Sequence, residues 1–160
     1  MKKIILVLFF VALMGSVPVS AKQRPLKEKL EKASEWIFKA MKEFEFVQEE
    51  VSLLAEVIYH ENWHTDKEKR AAYLTGAVVL NRRNSPKYPN TVKGVLYEKG
   101  QYSTTYKFFT KELPDEVYVM ARQIYYHGTP DVPENVVYQA QFKQGSGKYD
   151  IINGEWFCYG

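Results

Sequence analysis

One stretch of the chain carries apolar residues at helical spacing and then ends in a carboxylate. Leu54, Ile58 and Glu61 stand at i, i+4 and i+7, with Val57 beside them, so Glu61 continues an apolar stripe. Burying an ionised carboxylate costs free energy unless it is paired, protonated or placed in a cleft. The pattern therefore predicts an amphipathic helix with a functional glutamate at its end.

A second helix with the same pattern is predicted directly after the first. Leu74, Ala77, Val78 and Asn81 follow the spacing i, i+3, i+4, i+7, and the last of them is again polar. Residues 65–68 (Thr-Asp-Lys-Glu) match a capping box, in which the hydroxyl and the carboxylate would satisfy free backbone N–H groups. Two helices that each direct a polar group along a buried face indicate a site between them.

The remaining pattern predicts a mainly helical α+β domain with a small β-hairpin or sheet near the C-terminus. Further helices are expected after Thr91 and after Pro114, the latter ending before Gly128. Residues 136–142 and 155–159 are β-type runs separated by a turn region at 145–147. We expect one domain over residues 46–160, preceded by an amphipathic lead-in helix or spacer over 22–45.

The first residues have the composition of an export signal. Lys2 and Lys3 precede an apolar run from residue 4 to residue 14, and Val19 and Ala21 are small residues that fit cleavage after Ala21. The apolar run is short for a membrane span, which needs about 20 residues. We predict a signal peptide over 1–21, with an uncleaved anchor as the alternative, and a secreted or cell-envelope location.

The net charge and the single cysteine exclude some classes of protein. The whole chain has 22 basic and 19 acidic residues, and removing Lys2 and Lys3 leaves 20 against 19, a net charge of +1. A nucleic-acid binder would show a concentrated basic face, so no nucleic-acid partner is expected. Cys158 has no second cysteine to pair with, and we expect it to be a small buried residue.

Residues 60–64 (His-Glu-Asn-Trp-His) match the H-E-x-x-H signature of zinc peptidases. In that hypothesis His60 and His64 would bind zinc on one helix face, with Glu61 as general base. The capping box indicates that the helix ends near His64, so the two imidazoles would not share a face. We keep zinc as the alternative and expect no metal and no cofactor.

A longer colinear pattern resembles the SleB-type cell wall hydrolases, the spore-cortex-lytic enzymes and their vegetative relatives. The matching segments are Tyr-His-Glu at 59–61, Ala-Val-Val-Leu-Asn-Arg at 77–82, the Ser-Pro segment at 85–97, Gly-Gln-Tyr-Ser at 100–103, and the closing strands at 138–142 and 154–159. The resemblance implies a lysozyme-superfamily fold and cleavage of the peptidoglycan glycan strand. His60 stands where that family usually has glycine, and its second glutamate in this turn has no clear equivalent here.

The resemblance also implies roles for individual residues. Glu61 matches the family's catalytic glutamate. The candidate substrate-binding residues are Asn81, Gln101, Tyr102, Ser103, Tyr138, Gln141 and Phe142.

Glycoside hydrolysis ordinarily uses two carboxylates, whereas a lytic transglycosylase needs one. With one convincing carboxylate, the sequence favours transglycosylation at the MurNAc–GlcNAc bond, and simple hydrolysis is the near alternative. A non-catalytic wall-binding module is a third hypothesis. The expected partner is the peptidoglycan glycan strand, the only expected membrane contact is through the signal peptide, and we expect a monomer.

Overall fold

The computed structural model describes residues 24–160, so the predicted signal peptide lies outside the described residues. This part of the chain contains four α-helices, one 3₁₀ helix and a three-stranded sheet, which confirms the α+β class. In chain order the elements are α1 Arg24–Asn62, α2 Arg70–Asn84, α3 Val92–Tyr97, the 3₁₀ helix Ser103–Lys107, α4 Asp115–His127, β1 Val136–Ala140, β2 Gly147–Ile152 and β3 Glu155–Tyr159.

Helix α1 is one continuous helix. It runs without a break through residues 45 and 46, where the sequence predicted the lead-in segment to give way to the domain. The described residues up to Val47 belong to one compact unit, and Gln48–Gly160 form another. No helix in residues 24–160 combines the length and the apolar character that crossing a membrane requires. The domain boundary at 45/46 stays a prediction.

Helix α2 is the centre of the second unit, and the predicted apolar faces are confirmed. Leu54, Val57 and Ile58 on α1 are fully buried, as are Leu74 and Val78 on α2. The α2 residues pack in one apolar cluster with side chains of the sheet and of the loop before it. Residues of this core cluster are Ala71, Leu74, Ala77, Val78, Val132, Val136 and Phe157.

Gly76 allows the helices to approach closely. A Cβ at this position would lie 2.6 Å from Ile124 Cδ1 on α4 and 3.1 Å from Ile58 Cδ1 on α1. Both distances are shorter than the 3.5–4.0 Å at which carbon atoms normally pack. A glycine here therefore lets α2 fit between its two neighbours.

The turn between α1 and α2 is built differently from the predicted capping box. Asp66, and not Thr65 or Glu68, caps α2, because its carboxylate accepts hydrogen bonds from the backbone N–H groups of Arg70 at 2.7 Å and Ala71 at 2.9 Å. The Thr65 hydroxyl donates to the side chain at the end of α1, and Glu68 is exposed. The helix also begins later than the motif implies. The capping-box prediction was wrong, because an aspartate four residues before the helix reaches the free N–H groups first.

The other predicted helix ends are found. Thr91 Oγ1 accepts a hydrogen bond from the backbone of α3, and the buried Glu50 carboxylate accepts another from Val92 N at 2.9 Å. Pro114 directly precedes α4, and Gly128 ends it with a φ of 70°. A positive φ of this size is a conformation that glycine adopts without strain.

The sheet is antiparallel with the strand order β1-β3-β2. The two predicted β-runs correspond to β1 and β3, and β1 ends at Ala140, before Gln141 and Phe142. Strand β2 was missed, because residues 147–152 (Gly-Lys-Tyr-Asp-Ile-Ile) lack a clean alternation of apolar and polar positions. Cys158 on the central strand is buried and unpaired, as expected.

Candidate active site

A polar cleft of about 570 Å³ lies within the second unit, between the end of α1, the end of α2, the segment 100–102 and the sheet. It brings together Glu61, Gln101, Tyr102, Tyr138 and Gln141 from the predicted set. The cleft lining is Glu61, Arg82, Gly100, Gln101, Tyr102, Tyr138, Gln139, Ala140, Gln141, Gln144, Gly145 and Glu155. Most of these side chains hydrogen-bond, which suits a ligand rich in hydroxyl and amide groups.

Glu61 occupies the last turn of α1, one residue before the helix ends at Asn62. It is partly buried, and it follows the fully buried Ile58 on the same helix face. The predicted placement of a carboxylate at the end of an apolar stripe is therefore confirmed. Its catalytic role stays a prediction at this point.

Thr104 fixes the Glu61 carboxylate and was not among the predicted residues. Its Oγ1 hydroxyl donates a hydrogen bond to Glu61 Oε1 from the 3₁₀ helix, 43 residues further along the chain. Among the described residues Thr104 is the one that hydrogen-bonds this carboxylate, so Glu61 Oε2 stays free to face a ligand. The sequence carried one weak signal, because Thr104 directly follows the predicted segment 101–103.

Arg82 ties the helical side of the cleft to the sheet. Its buried guanidinium donates from Nε to Val137 O at 2.6 Å and from Nη1 to Gln101 Oε1 at 2.9 Å. The same group lies 5.6 Å from the ring centroids of Tyr88 and Tyr102. Because Arg82 bonds the carbonyl oxygen of Gln101, the NH₂ group of this amide is left as a donor for a ligand.

Asn81, its neighbour in the Asn-Arg pair, has a different environment. Its Nδ2 donates to Pro133 O at 2.9 Å and to Val136 O at 3.0 Å, which uses both amide hydrogens. The side chain does not line the cleft. Asn81 therefore holds the chain as it enters β1 and is not among the residues that face a ligand in the cleft. Ser103 and Phe142 are exposed and also lie outside the cleft lining.

Tyr102 is buried in the cleft, near the positive charge of Arg82 and the carboxylates Glu61 and Glu155. The pKa of its phenol is raised to about 12, because burial raises it most, the positive charge of Arg82 lowers it, and the carboxylates Glu61 and Glu155 raise it further. Among the described residues the hydroxyl has no hydrogen-bond partner. An unpaired buried hydroxyl costs free energy, so Tyr102 is well placed to hydrogen-bond a ligand in the cleft.

Glu155 is a second carboxylate of the cleft, and sequence reasoning missed it. It begins β3 and is half-buried. Burial raises the pKa of its carboxyl, the neighbouring amide of Gln139 lowers it, and the charge of Glu61 raises it. The family resemblance implies a second glutamate in the turn after Glu61, whereas the fold supplies a second cleft carboxylate from a strand 94 residues away.

The H-E-x-x-H segment does not form a continuous helix. Helix α1 ends at Asn62, and His64 lies in the following turn, exposed to solvent. His60 instead stacks on Phe108, with its Nε2 at 3.3 Å from Glu56 Oε2. The described residues contain no group of three or more His, Cys, Asp or Glu side chains arranged to hold a metal ion. The shared helix face on which the zinc hypothesis depended is therefore not present.

A mainly helical domain with a small sheet, two carboxylates and several amides in one open polar cleft has the features of a glycan-cleaving enzyme. A model of the cell wall hydrolase family matches residues 66–152, more than half of the chain. The chain belongs to the cell wall hydrolase family. Its substrate is accordingly peptidoglycan, as the sequence predicted.

The fold agrees with this assignment. The chain is similar to the crystal structure of the catalytic domain of the Bacillus cereus SleB protein, with 22% identity and a TM-score of 0.55. The similarity covers 69% of this chain and 90% of that one. A search of curated proteins gave no match. Because the family match spans 66–152, both Glu61 and Glu155 lie outside it, and their roles rest on geometry.

Proposed function

We propose that the chain cleaves the glycan strand of peptidoglycan at the MurNAc–GlcNAc bond, with Glu61 as general acid and then general base. The observation that carries this proposal is the Glu61 carboxylate in the cleft, held at Oε1 by Thr104 and free at Oε2. A general acid must present one oxygen to the reacting atom in a fixed orientation. Glu61 meets this requirement.

In the first step, protonated Oε2 donates its proton to the glycosidic oxygen as the bond between that oxygen and C1 of the muramic acid breaks. The GlcNAc end leaves as an alcohol, and positive charge develops at C1. Glu61 is then ionised, with the Thr104 hydroxyl still donating to Oε1. A charge-assisted hydrogen bond of this kind stabilises the ionised form.

We propose that the second step is transglycosylation. The C6 hydroxyl of the same muramic acid attacks C1, and its proton passes to Glu61, which restores the acid. The product is a 1,6-anhydro ring, and no water is consumed. Because the nucleophile belongs to the substrate, the step needs no second carboxylate to activate water.

The neutral hydrogen-bonding groups of the cleft suit this substrate. Glycan strands present hydroxyl and N-acetyl groups, which need donors and acceptors in fixed positions. Gln101, Tyr102, Tyr138 and Gln141 supply such groups beside Glu61. We propose these four as substrate-binding residues and expect the enzyme to act outside the cytoplasmic membrane, where peptidoglycan lies.

Mass analysis of muropeptides released from purified peptidoglycan tests the proposal. We expect products that end in 1,6-anhydro-muramic acid and that are lost in Glu61→Gln. Products with only free reducing ends would mean hydrolysis and would overturn the transglycosylase step. Peptidoglycan that is bound but not cut would instead support the wall-binding hypothesis.

A further inference from the structure

We propose that Glu155 is a second catalytic carboxylate, whose negative charge stabilises the positive charge that develops at C1 of the muramic acid. This inference rests on the proposed function, because it assigns a role in the same bond cleavage. It differs from that function in naming a residue on the sheet, outside the helices that carry Glu61.

The position of Glu155 relative to Glu61 supports this role. Glu61 approaches the cleft from the end of α1, and Glu155 approaches it from the start of β3. A glycosidic bond that is cut through an oxocarbenium-like transition state is flanked by its two carboxylates, one at the leaving oxygen and one at the sugar ring. Two carboxylates supplied by separate elements of one cleft can be arranged in this way.

The surroundings of Glu155 are not those of a structural carboxylate. A carboxylate that is partly withdrawn from water loses hydration, and a basic side chain beside it would offset that loss. Glu155 forms no ion pair among the described residues, and its pKa is raised by burial and by the charge of Glu61. Desolvation of this kind does not stabilise the fold, whereas a positive charge that develops in the cleft would favour the ionised form of Glu155, so a function in the cleft is the better explanation.

The strand register makes Gln139 a neighbour of Glu155 in the sheet. Gln139 on β1 pairs with Phe157 on β3, two residues from Glu155, so both side chains lie on one face of the sheet and within reach. Gln139 and Glu155 line the same cleft, and Gln139 Oε1 is buried without a hydrogen-bond partner among the described residues. An unpaired buried amide oxygen costs free energy, so this group beside Glu155 is also suited to bond a ligand in the cleft.

The charges around Glu155 leave charge stabilisation as its role. The charged and titratable groups that face it across the cleft are Glu61 from α1, Arg82 from α2, Tyr102 from the segment 100–102 and Tyr138 from β1. Arg82 is committed to Val137 and Gln101. Within the described lining of the cleft, no free cation therefore competes with a positively charged sugar ring for Glu155. In transglycosylation the proton is handled by Glu61, which leaves only charge for Glu155 to supply.

The test compares Glu155→Gln, Glu155→Asp and the matched control Glu134→Gln, an exposed glutamate. Initial rates, binding to uncut glycan and product masses are measured for each. Glu155→Gln should lose at least about 10²-fold in kcat with unchanged binding and 1,6-anhydro products, a loss comparable to removing one preorganised charge-stabilising group. Glu155→Asp keeps the charge and should recover part of the rate. Glu134→Gln should match the wild type.

Three results would overturn the inference. They are a near wild-type rate for Glu155→Gln, an equal loss of rate and binding, and an Asp variant as slow as the Gln variant. If Glu155→Gln does not fold, the Asp variant and its pH profile replace it: the rate should then fall with decreasing pH as residue 155 is protonated. Failure of the proposed function is distinguishable, because there Glu61→Gln would stay active or the wild type would not cut the glycan.

Discussion

The hydroxyl of Thr104 donates a hydrogen bond to Oε1 of Glu61, joining the 3₁₀ helix to the last turn of α1. A glutamate has three rotatable side-chain bonds, so a carboxylate without such a partner would sample several orientations. With Oε1 held, only Oε2 is left to transfer a proton.

Replacing Thr104 by valine should therefore lower kcat with little change in KM. Valine keeps the shape and removes the hydroxyl, and a hydrogen bond to a charged group contributes about 1.5–3 kcal/mol, or roughly 10–150-fold in rate. Initial rates on purified peptidoglycan measure the effect. Thr110→Val is the control, because that hydroxyl bonds to Lys107 O on the surface. Equal rates for the two variants would contradict the positioning role.

Arg82 should matter for folding as well as for the cleft. Arg82→Met leaves Val137 O and Gln101 Oε1 without their donor, so we expect the free energy of unfolding to fall by about 2–4 kcal/mol. Urea denaturation measures this. Arg83→Met is the control, because Arg83 bonds its neighbour Asn84 at the surface and should cost less than about 1 kcal/mol. The opposite ranking would show that these hydrogen bonds are not the stabilising ones.

Asp66 should be the residue that stabilises the start of α2. Asp66→Ala removes the acceptor for two backbone N–H groups and should cost about 0.5–2 kcal/mol in the free energy of unfolding. Glu68→Ala should cost almost nothing, since Glu68 is exposed. Thermal or urea denaturation of the two variants decides the matter. A larger loss in Glu68→Ala would restore the capping box that the sequence predicted.

We expect Asp131 to make the free energy of unfolding depend on pH. Hydrogen bonds from Tyr73 and then Arg70 lower the pKa of its carboxyl below the ordinary value of 3.8. A lowered folded-state pKa stabilises the protein above that value, and the stabilisation is lost as pH falls through the lowered pKa. The stability difference between the wild type and Asp131→Asn should be largest above about pH 5 and shrink below pH 4. A difference that grows on acidification would contradict this assignment.

The helical part of the fold was predictable because its signals are local. The spacing of Leu54, Ile58 and Glu61 records which face of α1 is buried, and Thr91 caps α3 through neighbouring residues. The start of α2 was placed wrongly because Thr65 and Asp66 are both good capping residues. Sequence alone does not decide which of two adjacent side chains reaches the free N–H groups.

Only some of the cleft residues were predictable from the sequence, because the others reach the cleft through contacts between distant segments of the chain. Glu61, Gln101 and Tyr102 belong to recognisable segments. Glu155 becomes a cleft residue only when β3 pairs with β1, and Thr104 only when the 3₁₀ helix packs against α1. Neither contact leaves a periodic trace in the sequence. The same holds for the backbone contacts that direct Asn81 away from the cleft.

The most direct test of the central claim is the rate at which Glu61→Gln cleaves purified peptidoglycan. Glutamine keeps the size of the side chain but cannot donate and recover the proton, so the rate should fall by at least about 10²-fold. Thermal unfolding and glycan binding should change little, and the control Glu68→Gln should keep its activity. A folded Glu61→Gln protein that clears peptidoglycan at nearly the wild-type rate would contradict the account.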